Sequence, residues 1–371
     1  MSGVTVSLAR PVPPATGSPC APVAALPPLG PSWYPAVMGT GILGTLLQTF
    51  AERLPGAQAM AGVAMVLAWT VLIVLTAGFL RRVAHDRRNF TVTVRDTDKA
   101  PMWGTVSMGL LAVGSCTATV VPAWWPELTS TAWLLDGVLW SIGTLIGLLA
   151  ALGFGARLVG RDCGAPTTVW GLAVVGPMVS ATTGAALVPR LVGSAQIWLL
   201  MTTITCFFLS LCLGTIVFTV AYHHHWRVAP IALVASASAW IPLGMVGQST
   251  AAVQSIAAQA KPLLALPVVH IVQQAANAYG YLMLGVGIPL VGWAVVVTGR
   301  GFLLRMPFSP GWWALTFPIG TLALGAVLLG RGTGQPFLTT TGEAATLILA
   351  GTVTLCLIAS IHAVARRGLT A

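Results

Sequence analysis

The chain has few charged residues. Only 7% of its 371 residues are Asp, Glu, Lys or Arg, whereas 56% are hydrophobic. A soluble domain carries about 25% charged residues, so this sequence cannot cover a globular surface with well-hydrated groups. The shortage excludes an ordinary soluble domain and predicts a protein whose solvent is lipid.

Patterns that serve catalysis or metal binding are also missing. The six cysteines are scattered, with no Cys-x-x-Cys pair and no Cys/His ligand spacing. His223, His224 and His225 are consecutive, and side chains at successive helical positions point in different directions, so they cannot all reach one ion. Paired carboxylates and Ser/His/Asp sets are absent. We therefore predict no enzyme activity, no catalytic residue, no metal site and no cofactor.

The positive charge is confined to particular loops. The net charge is +10, and of the 18 basic residues 14 lie in the N-terminal tail or in loops after even-numbered apolar segments. The other four are Arg53, Arg190, Lys261 and Arg331. No basic stripe interleaved with aromatics is present, so we expect no nucleic-acid partner. An excess of Lys and Arg marks cytoplasmic loops, which predicts a multi-pass protein of the cell membrane with both termini in the cytoplasm.

Apolar segments follow one another along the chain, each about as long as a membrane is thick. They predict an all-α polytopic membrane protein with ten transmembrane helices. Residues 1–30 are rich in Pro, Ala and Gly, which predicts a disordered cytoplasmic tail. The transport domain is predicted over 31–367 and a short C-terminal tail over 368–371. The ten predicted helices cover 33–50, 57–80, 102–122, 132–157, 169–188, 196–221, 230–257, 269–297, 311–330 and 343–365.

A tryptophan stands six residues before a glycine at the start of the first, third and fifth segments. The ninth segment is similar, since Pro318 follows Trp312 by six residues. The seventh has no tryptophan at its predicted start. Such a repeat, two helices per unit, predicts five helical hairpins. The pairs are Trp33 with Gly39, Trp103 with Gly109, and Trp170 with Gly176.

The odd-numbered segments also contain most of the helix-breaking residues. Freed backbone groups at membrane depth must line a cavity or meet protein partners, so we expect the odd helices to line a central pore and the even helices to face lipid. The alternative is that glycine and proline are simply common in membrane helices and help them pack. The predicted pore-lining residues are Gly39, Thr40, Gly109, Gly176, Pro177, Pro242, Gly244, Thr316, Pro318 and Gly320.

Phe317 is the predicted pore gate. A phenyl ring across a narrow apolar tube blocks ions by its volume and by dewetting, and Pro318 beside it permits a kink. The alternative is a phenylalanine that packs against lipid or a neighbouring helix.

The residues around Phe317 resemble a known family. The run Trp-Trp-Ala-Leu-Thr-Phe-Pro over 312–318 is similar to the ninth helix of the tellurite-resistance/dicarboxylate transporter family, which includes the plant guard-cell slow anion channel and the fungal malate and sulfite transporters. The Met-Gly-Thr-Gly pattern over 38–41 resembles the family's first helix. Residues 240–250 resemble its seventh, although Met245 stands where proline is expected.

This resemblance implies ten helices as five hairpins around a central pore, and a homotrimer in which each subunit has its own pore. It also implies that a phenylalanine at the place of Phe317 occludes the pore of the channel members.

Three functions remain open at this point. The first is an anion channel or exporter for small inorganic or organic anions. The second is a proton-linked carrier of a small dicarboxylate, sulfite or tellurite, and the third is a membrane scaffold or sensor that conducts nothing. The predicted spans lack central charged residues, because Asp136 and Glu343 fall near segment ends, where we expect interfacial anchors. A pore without fixed charge suits monovalent anions, which favours the first function.

Overall fold

The computed structural model describes residues 26–161 and 163–368, without the side chain of Arg367. Within these ranges 85% of the residues are helical and no strand occurs, which confirms the all-α prediction. The α-helices are α1 Pro35–Thr49, α2 Ala57–His85, α3 Arg88–Arg95, α4 Met102–Trp124, α5 Thr129–Leu158, α6 Gly171–Leu187, α7 Ser194–Arg227, α8 Ile241–Ala260, α9 Leu266–Leu303, α10 Phe317–Thr333 and α11 Pro336–Arg367.

Eight segments of the described chain are long and apolar enough to cross a membrane, so the protein is a multi-pass membrane protein. Helices α1 and α8 fall outside this set. Helix α1 has 15 residues, fewer than the roughly 20 that span a bilayer. The apolar run of α8 is interrupted by Gln248, Ser249, Thr250 and Gln254. The number of ten spans therefore stays a prediction.

The helices fall into two layers that alternate along the chain. The shorter helices α1, α4, α6, α8 and α10 each pack against the next, and α10 returns to α1 to close a ring. The longer helices α2, α5, α7, α9 and α11 each pack against the shorter helix that precedes them. In the segment Thr168–Arg190, which includes α6, 89% of the most apolar stretch is buried, against 17% in Leu266–Leu303. We call the two sets inner and outer helices.

Hydrogen bonds from small or aromatic side chains join the inner helices to the outer ones. Ser107 on α4 donates to the carbonyl of Gly143 on α5 at 2.6 Å, and Ser210 on α7 donates to the carbonyl of Val174 on α6 at 2.6 Å. Trp140 Nε1 on α5 donates to the Ser180 carbonyl at 2.9 Å. Between lipid-solvated helices the hydrophobic effect gives little attraction, so such bonds and close packing hold the layers together.

Most inner helices begin directly after a short 3-10 helix. These 3-10 helices cover Pro31–Trp33, Thr168–Trp170, Leu233–Trp240 and Pro310–Leu315. The prediction that the seventh helix begins at 230 was wrong, because α8 begins at Ile241 and Trp240 is its N-cap. Pro242 and Pro318 lie in the first turn of their helices, where the missing N–H costs nothing, and not in mid-helix. A tryptophan therefore precedes α8 as well.

Part of the predicted N-terminal tail is packed. Leu26 is buried, Trp33 Nε1 donates to the Pro27 carbonyl at 3.0 Å, and Arg82 Nη1 donates to the Leu29 carbonyl at 3.1 Å. Residues 26–30 thus continue the folded domain onto α2. The disorder predicted for 1–25 and the end of the C-terminal tail, 369–371, lie outside the described residues.

Candidate functional site: a cavity at the N-terminal ends of the inner helices

A cavity of about 220 Å³ lies where the inner helices begin. All five inner helices contribute to its lining, and every one does so within its first two turns. The 3-10 segments before α1, α6, α8 and α10 complete the wall, together with Pro27 and with Asp98 in the loop before α4. The site is therefore formed by one end of the whole ring and not by a single helix pair.

Five apolar side chains, one from each inner helix, line this cavity, and each stands directly before a glycine or a proline. Three of them directly precede the repeated glycines Gly39, Gly109 and Gly176, and the other two directly precede the first-turn prolines of α8 and α10. The five residues are Met38, Met108, Val175, Ile241 and Phe317. We call them the apolar ring. Phe317 has the largest side chain of the five.

The local structure fixes Phe317 at the first position of α10. The preceding residue, Thr316, has φ −102° and ψ −70° and separates the 3-10 helix from α10. Its Oγ1 donates to the Trp313 carbonyl at 2.7 Å, and Trp313 Nε1 in turn donates to Ser360 Oγ at 3.0 Å on α11. Phe317 is 4% exposed and belongs to the same apolar cluster as Trp313. The 3-10 segment that precedes Phe317 is thus hydrogen-bonded to outer helix α11.

The cavity collects the positive ends of helix dipoles. None of the five inner helices has a side-chain cap at its N-terminus among the described residues. Some of the first N–H groups instead donate to backbone carbonyls of the preceding turn, as Ile241 does to Ser238. A helix N-terminus carries roughly half a positive charge, which favours an anion beside it. The cavity therefore offers an anion a positive potential without a basic side chain.

Among the residues that the structure describes, the only charged side chain that lines this cavity is acidic. Asp98 stands in the loop between α3 and α4, and its backbone N–H donates to Asp96 Oδ1 at 2.9 Å. Partial burial raises the pKa of Asp96, but the Asp98 N–H and the Lys99 ammonium, 3.2 Å away, outweigh it and leave that pKa below its ordinary value. The Asp98 charge at the mouth is repulsive to anions, and more so to divalent ones.

A cavity that favours anions agrees with the function of proteins that are similar in sequence. A sequence profile of the voltage-dependent anion channel family matches residues 28–361. The chain belongs to that family. It is 24% identical to a sulfite efflux pump of Trichophyton rubrum over 323 residues, 83% of each chain, and likewise to one of Arthroderma benhamiae. It is also 22% identical to an uncharacterized transporter of Methanocaldococcus jannaschii over 303 residues, 78% of this chain and 80% of the relative.

The family membership confirms the resemblance read from the motifs around Phe317. The family comprises membrane channels and transporters of anions, so membrane anion transport is the function class of this chain.

Three of the predicted site residues line the cavity: Phe317, Pro318 and Gly244. Gly244 has free space beside it, since a Cβ there would meet only Pro318 Cγ, at 3.8 Å. The missing side chain of Gly244 therefore adds to the width of the cavity.

The other predicted lining residues lie at contacts between or within helices. A Cβ on Gly39 would collide with Thr316, and one on Gly320 would collide with Ile42. On Gly109 or Gly176 it would make a tight contact of 3.2 Å, with Tyr34 or Ser107. Thr40 donates to the Ala36 carbonyl of its own helix at 2.8 Å. Pro177 and Pro242 are buried and do not line this cavity. That these residues line a path stays a prediction for its deeper part.

Sequence reasoning missed four members of the apolar ring: Met38, Met108, Val175 and Ile241. The signal that could have found them is the repeat itself, because each stands directly before the repeated glycine or the first-turn proline, as Phe317 does. Helical residues that are neighbours in sequence point about 100° apart. When the glycine faces a neighbouring helix, the residue before it can face the axis.

The expectation that Asp136 is an interfacial anchor was wrong. Asp136 lies in the third turn of α5, is 1% exposed, and approaches Gly114 of α4 so closely that a Cβ there would be 2.5 Å from Asp136 Oδ1. Asp136 Oδ1 has no hydrogen-bond partner among the described residues. The spans therefore do contain one buried carboxyl group.

Glu343 differs from Asp136 in having a basic partner. Its carboxylate lies 3.2 Å from Arg53 Nε, with the side chains 19% and 51% exposed. The pair joins α11 to the loop after α1, and the interfacial role of Glu343 stays a prediction.

Proposed function

We propose that this protein is an anion channel or exporter whose path runs through the ring of inner helices and is closed by the apolar ring, with Phe317 as the main gate. In this proposal the ten long helices form five hairpins that all cross the membrane, and both termini are cytoplasmic. A homotrimer is proposed from the family resemblance alone. Gly39, Thr40, Gly109, Gly176, Pro177, Pro242, Gly244, Thr316, Pro318 and Gly320 belong to the walls of the path.

The observation that carries the proposal is the convergence of five helix N-termini on a cavity with a mostly apolar lining. The N-termini draw an anion in, and the apolar ring stops it, because a narrow dewetted constriction excludes ions. A residue in the first helical turn, such as Phe317, can move with its 3-10 segment. Opening then needs only a local change and no rearrangement of the helix ring.

The charge of the lining indicates the kind of anion. Among the described residues no cationic side chain lines the cavity, and Asp98 does, so a second negative charge would find no basic group to offset its dehydration. We therefore propose small monovalent anions as substrates. The curated relatives are named for sulfite efflux, so the singly charged form of sulfite is the first substrate to try.

The test is anion flux from liposomes that contain purified wild type, Phe317→Ala or Phe317→Leu. Phe50→Ala, at an equally buried position away from the cavity, controls for the packing energy lost when a buried phenylalanine is truncated. We expect flux to rise from wild type to Phe317→Leu to Phe317→Ala and to stay at the wild-type level in Phe50→Ala. Folded Phe317 variants with unchanged or lower flux would refute the gate.

A second candidate function is a proton-linked carrier, and the observation that favours it is Asp136. Ionisable groups inside membrane spans are expensive and mark proton or ion pathways, and Asp136 is such a group without a partner for Oδ1. This function predicts saturable flux that a pH gradient drives. The absence of flux for every anion tried would instead favour a non-conducting scaffold or sensor.

A further inference from the structure

A second concave surface lies on the lipid-facing side, between α3, the start of α4 and the last three turns of α5. This groove has a volume of about 360 Å³. Its walls are apolar and include Phe90, Trp103, Leu149 and Phe154, and its lining ends on Arg157. The side facing α5 stays open because Gly153 carries no side chain and a Cβ there would meet nothing within 4 Å.

The length of the groove matches one leaflet of a bilayer. From Ile146 to Arg157 the α5 axis rises about 16 Å at 1.5 Å per residue, close to half of the roughly 30 Å hydrocarbon core. The apolar lining points toward the membrane centre and the guanidinium lies at the cytoplasmic end that the charge distribution predicts. This is the order of an acyl chain followed by a phosphate.

One end of the groove is lined by Arg157, and neighbouring helix α3 carries further basic residues. Arg157 Nη1 donates to the Val94 carbonyl, which leaves most of its N–H groups available. Arg88 and Arg95 on α3 are exposed. Among the described residues, none of these three arginines forms an ion pair with a carboxylate. Basic groups near the membrane surface attract anionic lipid headgroups.

Helix α3 has the character of a helix that lies in the membrane interface. Its apolar side chain Phe90 stacks edge-on against Trp103 with ring centroids 5.5 Å apart, and Trp103 Nε1 donates to Thr93 Oγ1 at 3.3 Å. Phe90 is nevertheless 45% exposed. Short amphipathic helices with arginines on the polar side bind at the headgroup boundary.

The groove and the anion cavity share one segment of chain. Asp98 and Met102 line the cavity, whereas Ala100 and Trp103 line the groove. Residues 98–103 therefore separate the groove from the cavity, and a molecule in the groove would contact this segment from its other side.

We propose that this groove binds one anionic phospholipid of the surrounding bilayer, with an acyl chain along α5 and the phosphate beside Arg157, and that the lipid positions the cavity wall over 98–103. The binding site is independent of the proposed function, and only the effect on flux depends on it.

The test uses wild type, Gly153→Leu and Gly137→Leu. Gly137 is on the same helix, and a Cβ there also meets nothing within 4 Å, but it lines a different groove. The proteins are reconstituted into phosphatidylcholine vesicles containing a minority of phosphatidylglycerol, extracted with mild detergent, and analysed by native mass spectrometry. We expect one phosphatidylglycerol per chain in wild type and Gly137→Leu, and several-fold lower occupancy in Gly153→Leu.

A charge variant tests the headgroup end. Arg157→Gln should weaken phosphatidylglycerol retention roughly fivefold, the worth of one basic group near the surface, and Arg157→Lys should retain it. Equal lipid occupancy in Gly153→Leu and Gly137→Leu would overturn the proposal. So would a loss of oligomer mass in Gly153→Leu at unchanged lipid occupancy, since the groove would then be a contact between copies of the chain.

Flux supplies the second readout. Phosphatidylglycerol should change anion flux in wild type and not in Gly153→Leu. Lipid occupancy that falls in Gly153→Leu while both proteins respond equally to phosphatidylglycerol would keep the binding site and refute its effect on the cavity wall.

Discussion

Gln248 Nε2 donates a hydrogen bond of 2.8 Å to Thr182 Oγ1, which ties α8 to α6 one turn beyond Gly244. Both side chains are buried, at 2% and 6% exposure, and Gln248 Oε1 has no partner among the described residues. The inner helices are therefore joined by a buried polar contact. Loss of this hydrogen bond leaves the Gln248 amide without a partner in a site that is shielded from water.

We predict that Thr182→Val destabilises the protein by about 1–3 kcal/mol, the cost of a buried group left without its hydrogen bond. Thermal unfolding in detergent measures it. Gln248→Leu added to Thr182→Val should recover part of the loss, since neither polar partner then remains. Thr183→Val is the matched control, because Thr183 Oγ1 donates within its own helix, to the Val179 carbonyl at 2.9 Å. Equal losses in Thr182→Val and Thr183→Val would mean that the interhelical bond contributes nothing.

Two glycine-to-alanine changes should affect different properties, one the stability of the protein and the other its anion flux. A Cβ on Gly39 would stand 2.8 Å from Thr316 Cβ, so Gly39→Ala forces α1 from α10 and should cost about 1–3 kcal/mol. Gly244→Ala fits beside Pro318 Cγ at 3.8 Å and adds a methyl group to the cavity. We expect it to keep the unfolding temperature and lower anion flux. A stable Gly39→Ala protein together with an unstable Gly244→Ala protein would contradict this assignment.

The rest of the apolar ring should contribute to closure in proportion to side-chain size. Met108→Ala and Val175→Ala are expected to raise anion flux, each by less than Phe317→Ala, because each removes less volume from the constriction. Val174→Ala controls for Val175→Ala, since Val174 is fully buried next to it but does not line the cavity. The four variants are compared by measuring the efflux of one monovalent anion from liposomes. Wild-type flux in both ring variants would limit the gate to Phe317.

Asp98 should hold flux down at low salt. Asp98→Asn removes the negative charge at the mouth, and a charge about 4 Å away in water is worth about 1 kcal/mol, so we expect a flux increase of up to roughly fivefold. The effect should vanish near 1 M salt, where the screening length is about 3 Å. Asp86→Asn, another exposed loop acid that does not line the cavity, should change nothing. An increase that persists at high salt would point to a structural cause.

The layered fold could be predicted because its signals are local. Low charge, apolar segment lengths and proline or glycine on alternate segments are read directly from the chain, and in the structure the alternate segments are the shorter, buried helices. The start of α8 could not be predicted. Residues 233–240 are as apolar as a helix interior, and only their 3-10 conformation separates them from Ile241–Ala260.

The candidate site was only half predictable for a different reason. Phe317 stood out by its size and its proline neighbour. The direction in which Met38 or Val175 points depends on the rotation of each helix about its axis, which close contacts set. Gly39 must face Thr316, and that contact turns Met38 toward the cavity. Likewise, Asp136 lies near a segment end in sequence, and only the packing of α5 on Gly114 buries it.

Asp136→Asn separates the two transport functions. Asparagine keeps the shape of the side chain but cannot bind or release a proton. For a channel or exporter without proton coupling, we expect Asp136→Asn to carry the wild-type flux with and without a pH gradient, since Asp136 does not line the cavity. Glu343→Gln serves as the control, because it neutralises the ion-paired acid of α11. Wild-type uptake that needs a pH gradient, lost in Asp136→Asn but kept in Glu343→Gln, would make Asp136 the proton site of a carrier and replace the channel proposal.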